Sequence, residues 1–137
     1  MPCRILVVDD ERDVREVLSE YLIAAGFDVT ALASGREALD LIGSGERVFD
    51  VALVDWHMPG ISGRDVIEGL QEASPETAVI MTTGEVGTTL GGRWGRGNVE
   101  MIRKPFSLRS LARRIDELAE AAAHSKKSSL SWNADPP

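Results

Sequence analysis

Short apolar runs alternate along this chain with stretches whose apolar residues recur at helical spacing. Arg4–Val8 reads Arg-Ile-Leu-Val-Val, the continuous run of a strand buried on both faces. Val14, Val17, Leu18, Tyr21, Leu22 and Ala25 then follow a helical period, and Gly26 sits where a left-handed residue ends a helix. Asp28–Leu32 is a second strand. Ser34 with Glu37 forms a capping-box pattern ahead of the stripe Ala38, Leu39 and Ile42, which Gly43 and Gly45 close. Val51–Val54 is a third buried strand, ending at Asp55. Pro59, Gly60 and Gly63 mark a loop, and residues 65–70 belong to a helix that stops before Pro75. Ala78–Thr82 is the fourth strand and Glu100–Arg103 a short fifth. Ser107 caps a last helix with the stripe Leu108, Leu111, Ile115, Leu118 and Ala122.

The rhythm fails twice. Gly84 to Gly97 holds six glycines, and each costs a helix roughly 0.5–1 kcal/mol relative to alanine, so no stable helix is expected there. From His124 onward the periodicity lapses, which predicts one domain over residues 1–124 and a flexible tail over 125–137, with Trp132 its one residue suited to docking.

Alternating strands and helices joined by short links imply a parallel sheet covered on both faces, with right-handed crossovers. Ligands of such sheets collect at the carboxyl ends of the strands. Asp9 and Asp10 follow strand one, Asp55 ends strand three, Thr82 and Thr83 end strand four, and Lys104 follows strand five. Three carboxylates, two hydroxyls and an ammonium are thus expected on one rim.

Composition narrows the reading. The 137 residues suit one domain, and 43% apolar with 27% charged residues is ordinary for a globular protein. Cys3 is the single cysteine, which excludes an internal disulfide and a cysteine metal cage. No apolar run approaches the roughly 20 residues of a membrane span, and no leader pattern opens the sequence. A cytoplasmic location is the expectation. A formal net charge of −7 argues against general nucleic-acid affinity, which requires neutralising phosphates.

Clustered Asp9, Asp10 and Asp55 would raise one another's pKa unless a cation joined them. Mg²⁺ prefers such an all-oxygen shell, and with His57 the only nearby imidazole, zinc and copper are disfavoured. An aspartate is a competent nucleophile toward phosphorus. Asp55, closing a buried strand ahead of a turn, is the candidate, with Lys104 placed to neutralise phosphoryl oxygens.

Four blocks carry a resemblance: Val7-Val8-Asp9-Asp10-Glu11, Val54-Asp55-Trp56-His57-Met58-Pro59-Gly60-Ile61-Ser62-Gly63, Thr83-Gly84 and Lys104-Pro105-Phe106. In order and spacing the chain resembles response-regulator receiver domains of two-component signalling over about residues 3–122. The resemblance implies a five-stranded, doubly wound, flavodoxin-like sheet of order 2-1-3-4-5. It implies that Asp55 accepts a phosphoryl group and that Asp10 ligates Mg²⁺. Asp9 would hold the ion directly or through water, and the backbone carbonyl of His57 would complete the protein ligands. Thr83 and Lys104 would bind phosphoryl oxygens, while the His57 ring and Glu85 would modulate dephosphorylation. The Lys104–Pro105 bond is often cis in such proteins. Trp56 reads as packing.

The chain also departs from the family. Met101 stands where many receivers carry a switch aromatic, Tyr21 belongs to the first helix and cannot substitute, and the glycine-rich stretch replaces the family's fourth helix. In this it resembles a stand-alone subgroup with Thr-Gly after strand four. Arg93, Trp94 and Arg96 are candidate partner contacts, because Trp and Arg anchor interfaces, if phosphorylation orders that stretch. The glycines do not make a nucleotide loop, since no Gly-Lys-Ser/Thr follows.

A sensor histidine kinase or histidine phosphotransfer protein is the expected donor, and an unknown protein the output, with a monomer or weak dimer as the form. No DNA-binding segment follows residue 124 here, so a stand-alone regulator is expected, with no enzymatic turnover beyond its own phosphorylation and dephosphorylation. Two rivals remain: a phosphate-independent binding module, and an aspartate-nucleophile phosphohydrolase. The latter wants Asp-x-Asp after strand one, where this chain has Glu11 two residues beyond Asp9.

Overall fold

A computed structural model describes residues 2–84 and 99–134, with side chains up to residue 121. Five strands, β1 (Arg4–Val8), β2 (Asp28–Leu32), β3 (Val51–Asp55), β4 (Ala78–Thr83) and β5 (Val99–Arg103), interleave with helices α1 (Arg12–Ala24), α2 (Gly35–Ser44), α3 (Gly63–Ala73) and α4 (Leu108–Ala134). All neighbouring strands pair in parallel, in the order β2-β1-β3-β4-β5. This is the flavodoxin-like arrangement that the resemblance implies, and the parallel sheet that the strand pattern led us to expect.

Side chains alternate across a strand, so each central strand feeds two cores. Leu6, Val8, Ala52, Val54, Val79 and Met81 pack with Ala38, Ile42, Val66, Ile67 and Leu70 of α2 and α3. Ile5, Val7, Val51, Leu53 and Ile80 meet Leu18 and Leu22 of α1 and Leu111, Ile115 and Leu118 of α4. Each fully buried Val, Leu, Ile or Met side chain among them contributes roughly 1.5–3 kcal/mol relative to exposure. The apolar stripe expected on α1 is only half buried: Leu18 and Leu22 are inside, whereas Val17 and Tyr21 stay exposed.

The helix signals act as their chemistry dictates. Gly26 takes φ +100° just past α1, and Gly45 closes α2 at φ +69°. The Ser34 hydroxyl accepts from the Glu37 amide. Ser62, unnoticed in the sequence, caps α3 in a complete capping box with Asp65. The Ser110 amide donates to the Ser107 hydroxyl. Lys104–Pro105 is cis.

The last helix is longer than its apolar stripe. It runs to Ala134, past the point where the apolar periodicity lapses. Loss of that periodicity does not remove the ability to form backbone hydrogen bonds, and no glycine or proline stands between Leu108 and Pro136. Apart from Gly84, the glycine-rich stretch lies within residues 85–98, outside the described residues. No described helix is long and apolar enough to cross a membrane.

Candidate functional site

Register determines the rim. In the β1–β3 ladder Val8 pairs with Val54, so the following residues, Asp9 and Asp55, leave their strands side by side. Asp55 pairs with Thr82 and Thr83 with Arg103, which places Lys104 one step beyond. Asp9, Asp10 and Asp55 each offer a carboxylate oxygen, and these oxygens lie within 4.8 Å of one another. Asp9 is 2% exposed and Asp55 4%, while Asp10 is exposed.

Asp9 is held at every polar group. Its amide donates to the Leu32 carbonyl at 3.2 Å, and its Oδ1 accepts from the Glu11 amide at 2.9 Å. Its Oδ2 accepts from Lys104 Nζ at 3.2 Å, and its carbonyl accepts from Arg15 Nη1 at 2.8 Å. Asp55 Oδ1 accepts from the His57 amide at 3.3 Å, and Asp55 Oδ2 lies 3.6 Å from Lys104 Nζ. The Lys104 amide donates to the Thr83 carbonyl at 2.7 Å, which couples the two strand ends.

Burial drives the electrostatics. It pushes the Asp55 carboxyl up to about 6, with Asp9 and Asp10 adding to the rise and with Lys104 and the His57 amide opposing it. Burial works against the charge on Lys104, yet Asp55 and Asp9 hold its pKa above the usual lysine range. An all-oxygen donor set with surplus negative charge fits a hard divalent cation such as Mg²⁺, and neither a thiol nor an imidazole belongs to the cluster.

The remaining sequence candidates divide. Thr83 is fully buried next to Lys104. His57 is exposed, whereas Trp56 and Met101 pack partly buried against the α2–α3 core, as the packing reading of Trp56 requires. An open cavity of about 430 Å³ is lined by Trp56, His57, Met58, Pro59, Ser62 and Arg64, residues that follow Asp55 along the chain. Glu85, Arg93, Trp94 and Arg96 lie outside the described residues.

Two roles escaped the sequence reading. Arg15 touches Asp9 from six residues away, a spacing that no local motif announces. Gly63 begins α3 so close to the end of β3 that a Cβ there would lie 2.2 Å from the Asp55 carbonyl oxygen.

The family model of the response regulator receiver domain matches residues 5–116, and the chain belongs to that family. It is similar to the response regulator MprA of Mycolicibacterium vanbaalenii, 37% identical over 120 residues that cover 86% of this chain and 51% of that protein. It is similar as well to the transcriptional regulatory protein CpxR of Escherichia coli, 32% identical over 136 residues, covering 97% of this chain and 56% of that protein. Among solved structures, a CheY-like response regulator receiver domain protein from Methanospirillum hungatei superposes with a TM-score of 0.80 at 25% identity, covering 91% of this chain and 99% of that one. The chain spans about half the length of the curated relatives it matches.

Proposed function

We propose that this chain is a Mg²⁺-dependent phosphoryl acceptor that receives its phosphoryl group on Asp55 from a sensor histidine kinase or a histidine phosphotransfer protein. The observation that carries the reading is the juxtaposition of Asp9, Asp10 and Asp55 around one point, with Lys104 facing two of them. Asp10 and Asp55 would ligate the ion together with the His57 carbonyl, and Asp9 would hold it directly or through water. Bound there, Mg²⁺ supplies neutralisation and orientation of a phosphoryl oxygen.

The chain's own groups do the rest. A carboxylate oxygen of Asp55 attacks phosphorus in line, the donor's bond to phosphorus breaks, and the electron pair leaves with the donor's nitrogen. Lys104 exchanges its contact with Asp55 for one with a phosphoryl oxygen, and Thr83 donates its hydroxyl to another. His57, exposed beside the site, and Glu85 regulate water access and so the lifetime of the acyl phosphate.

The receiver unit spans residues 1–124, and 125–137 lie outside it. Its output is a protein contact in the cytoplasm, made as a monomer or weak dimer, with Met101, Arg93, Trp94 and Arg96 on the responding face. Beryllofluoride, which stands in for the phosphoryl group, tests this by NMR. With Mg²⁺ present it should shift the amides around Asp55, Thr83 and Lys104. Identical spectra with and without it would contradict the reading.

A further inference from the structure

We propose that Arg15 is a positioning residue for the metal-binding carboxylate of Asp10. The inference rests on the magnesium reading of the acidic cluster and goes beyond it, because Arg15 belongs to none of the signature blocks.

Arg15 sits half-buried on α1 and its Nη1 donates to the Asp9 carbonyl oxygen at 2.8 Å. That carbonyl and the Asp10 nitrogen belong to one planar peptide. Fixing the direction of the carbonyl therefore fixes the plane from which the Asp10 side chain departs. Asp9 itself is already secured by the Leu32 carbonyl, the Glu11 amide and Lys104. Asp10 is exposed and sits in the turn between β1 and α1. The Arg15 bond is what ties the peptide ahead of it to the helix. The planar guanidinium holds one direction better than an ammonium on a flexible stem.

The proposal has a sign that simple electrostatics lacks. Arg15 is a cation close to a cation site, so by charge alone its removal should strengthen Mg²⁺ binding. Positioning predicts the reverse. Loss of a partner that orients a ligand typically costs about 10–100-fold in metal affinity.

The test is an NMR titration of the full chain with Mg²⁺ alone, comparing wild type, Arg15→Met and Arg15→Gln, with Arg12→Met as control. Arg12 lies on the same helix and pairs with Glu16, one turn away. The expected result is a dissociation constant about ten-fold higher in both Arg15 variants, and unchanged or slightly lower in Arg12→Met. Should Arg15→Met lose the dispersed spectrum of a folded protein, Arg15→Gln decides by the same criterion. An Arg15 variant that is folded and binds Mg²⁺ as tightly as wild type, or more tightly, overturns the proposal. A wild-type spectrum that Mg²⁺ leaves unmoved defeats the magnesium reading instead, so the two failures are distinct.

Discussion

The Lys104 ammonium stands 3.6 Å from the Asp55 carboxylate, across two strand ends. It also reaches Asp9 at 3.2 Å, so one lysine balances two buried acids. Its replacement by methionine should push the Asp55 pKa above its present value of about 6, because the main opposing charge is gone. Mg²⁺ should bind more tightly for lack of a competing cation, while phosphoryl transfer slows by about a hundred-fold with the loss of a transition-state contact. Carboxyl ¹³C titration, Mg²⁺ titration and labelling rates check the three outcomes separately.

Asp55 also makes stability depend on pH. Its carboxyl titrates near 3.8 in an ordinary setting and near 6 in the fold. The folded protein thus binds the extra proton between those values, and the metal-free protein gains stability as pH falls from about 7 to about 4. Ionised Asp55 costs on the order of 2 kcal/mol at neutral pH. Asp55→Asn should therefore raise the melting temperature at pH 7–8 without metal and lose that advantage near pH 4. Thermal melts across pH check this. Mg²⁺, which binds the ionised form, should stabilise wild type more at pH 7.5 than at pH 5.

The close approach of α3 to the strand that ends at Asp55 depends on Gly63. An added methyl would overlap the Asp55 carbonyl oxygen and the Trp56 backbone, so either α3 or the end of β3 must move. Gly63→Ala should cost about 2 kcal/mol in chemical denaturation, as overpacking does. It should also slow labelling of Asp55 beyond what the lower stability explains, measured where the variant remains folded.

Much of this architecture was legible in the residues. The strands are apolar runs bounded by turn formers, and Asp9, Asp10, Asp55, Thr83 and Lys104 each follow or end one of them. Parallel order alone then brings them to a single rim. What stayed hidden depends on distance through space or on helix propensity without packing. The Arg15 contact spans α1 and the end of β1. The Gly63 contact is visible only once α3 is docked. The helix through Ala134 persists where apolar periodicity no longer marks it.

Ser62 offers a control away from the chemistry. Its hydroxyl accepts from the Asp65 amide, and the Asp65 carboxylate accepts from the Ser62 amide. Ser62→Ala should lower stability by about 1 kcal/mol and leave the Mg²⁺ dissociation constant unchanged, which denaturation and titration together can check.

The most direct measurement is intact mass after incubation with acetyl phosphate. Wild type with Mg²⁺ should gain the mass of one phosphoryl group, while wild type with chelator and Asp55→Asn with Mg²⁺ should gain none. Labelling of Asp55→Asn to the wild-type level would contradict the assignment of the acceptor.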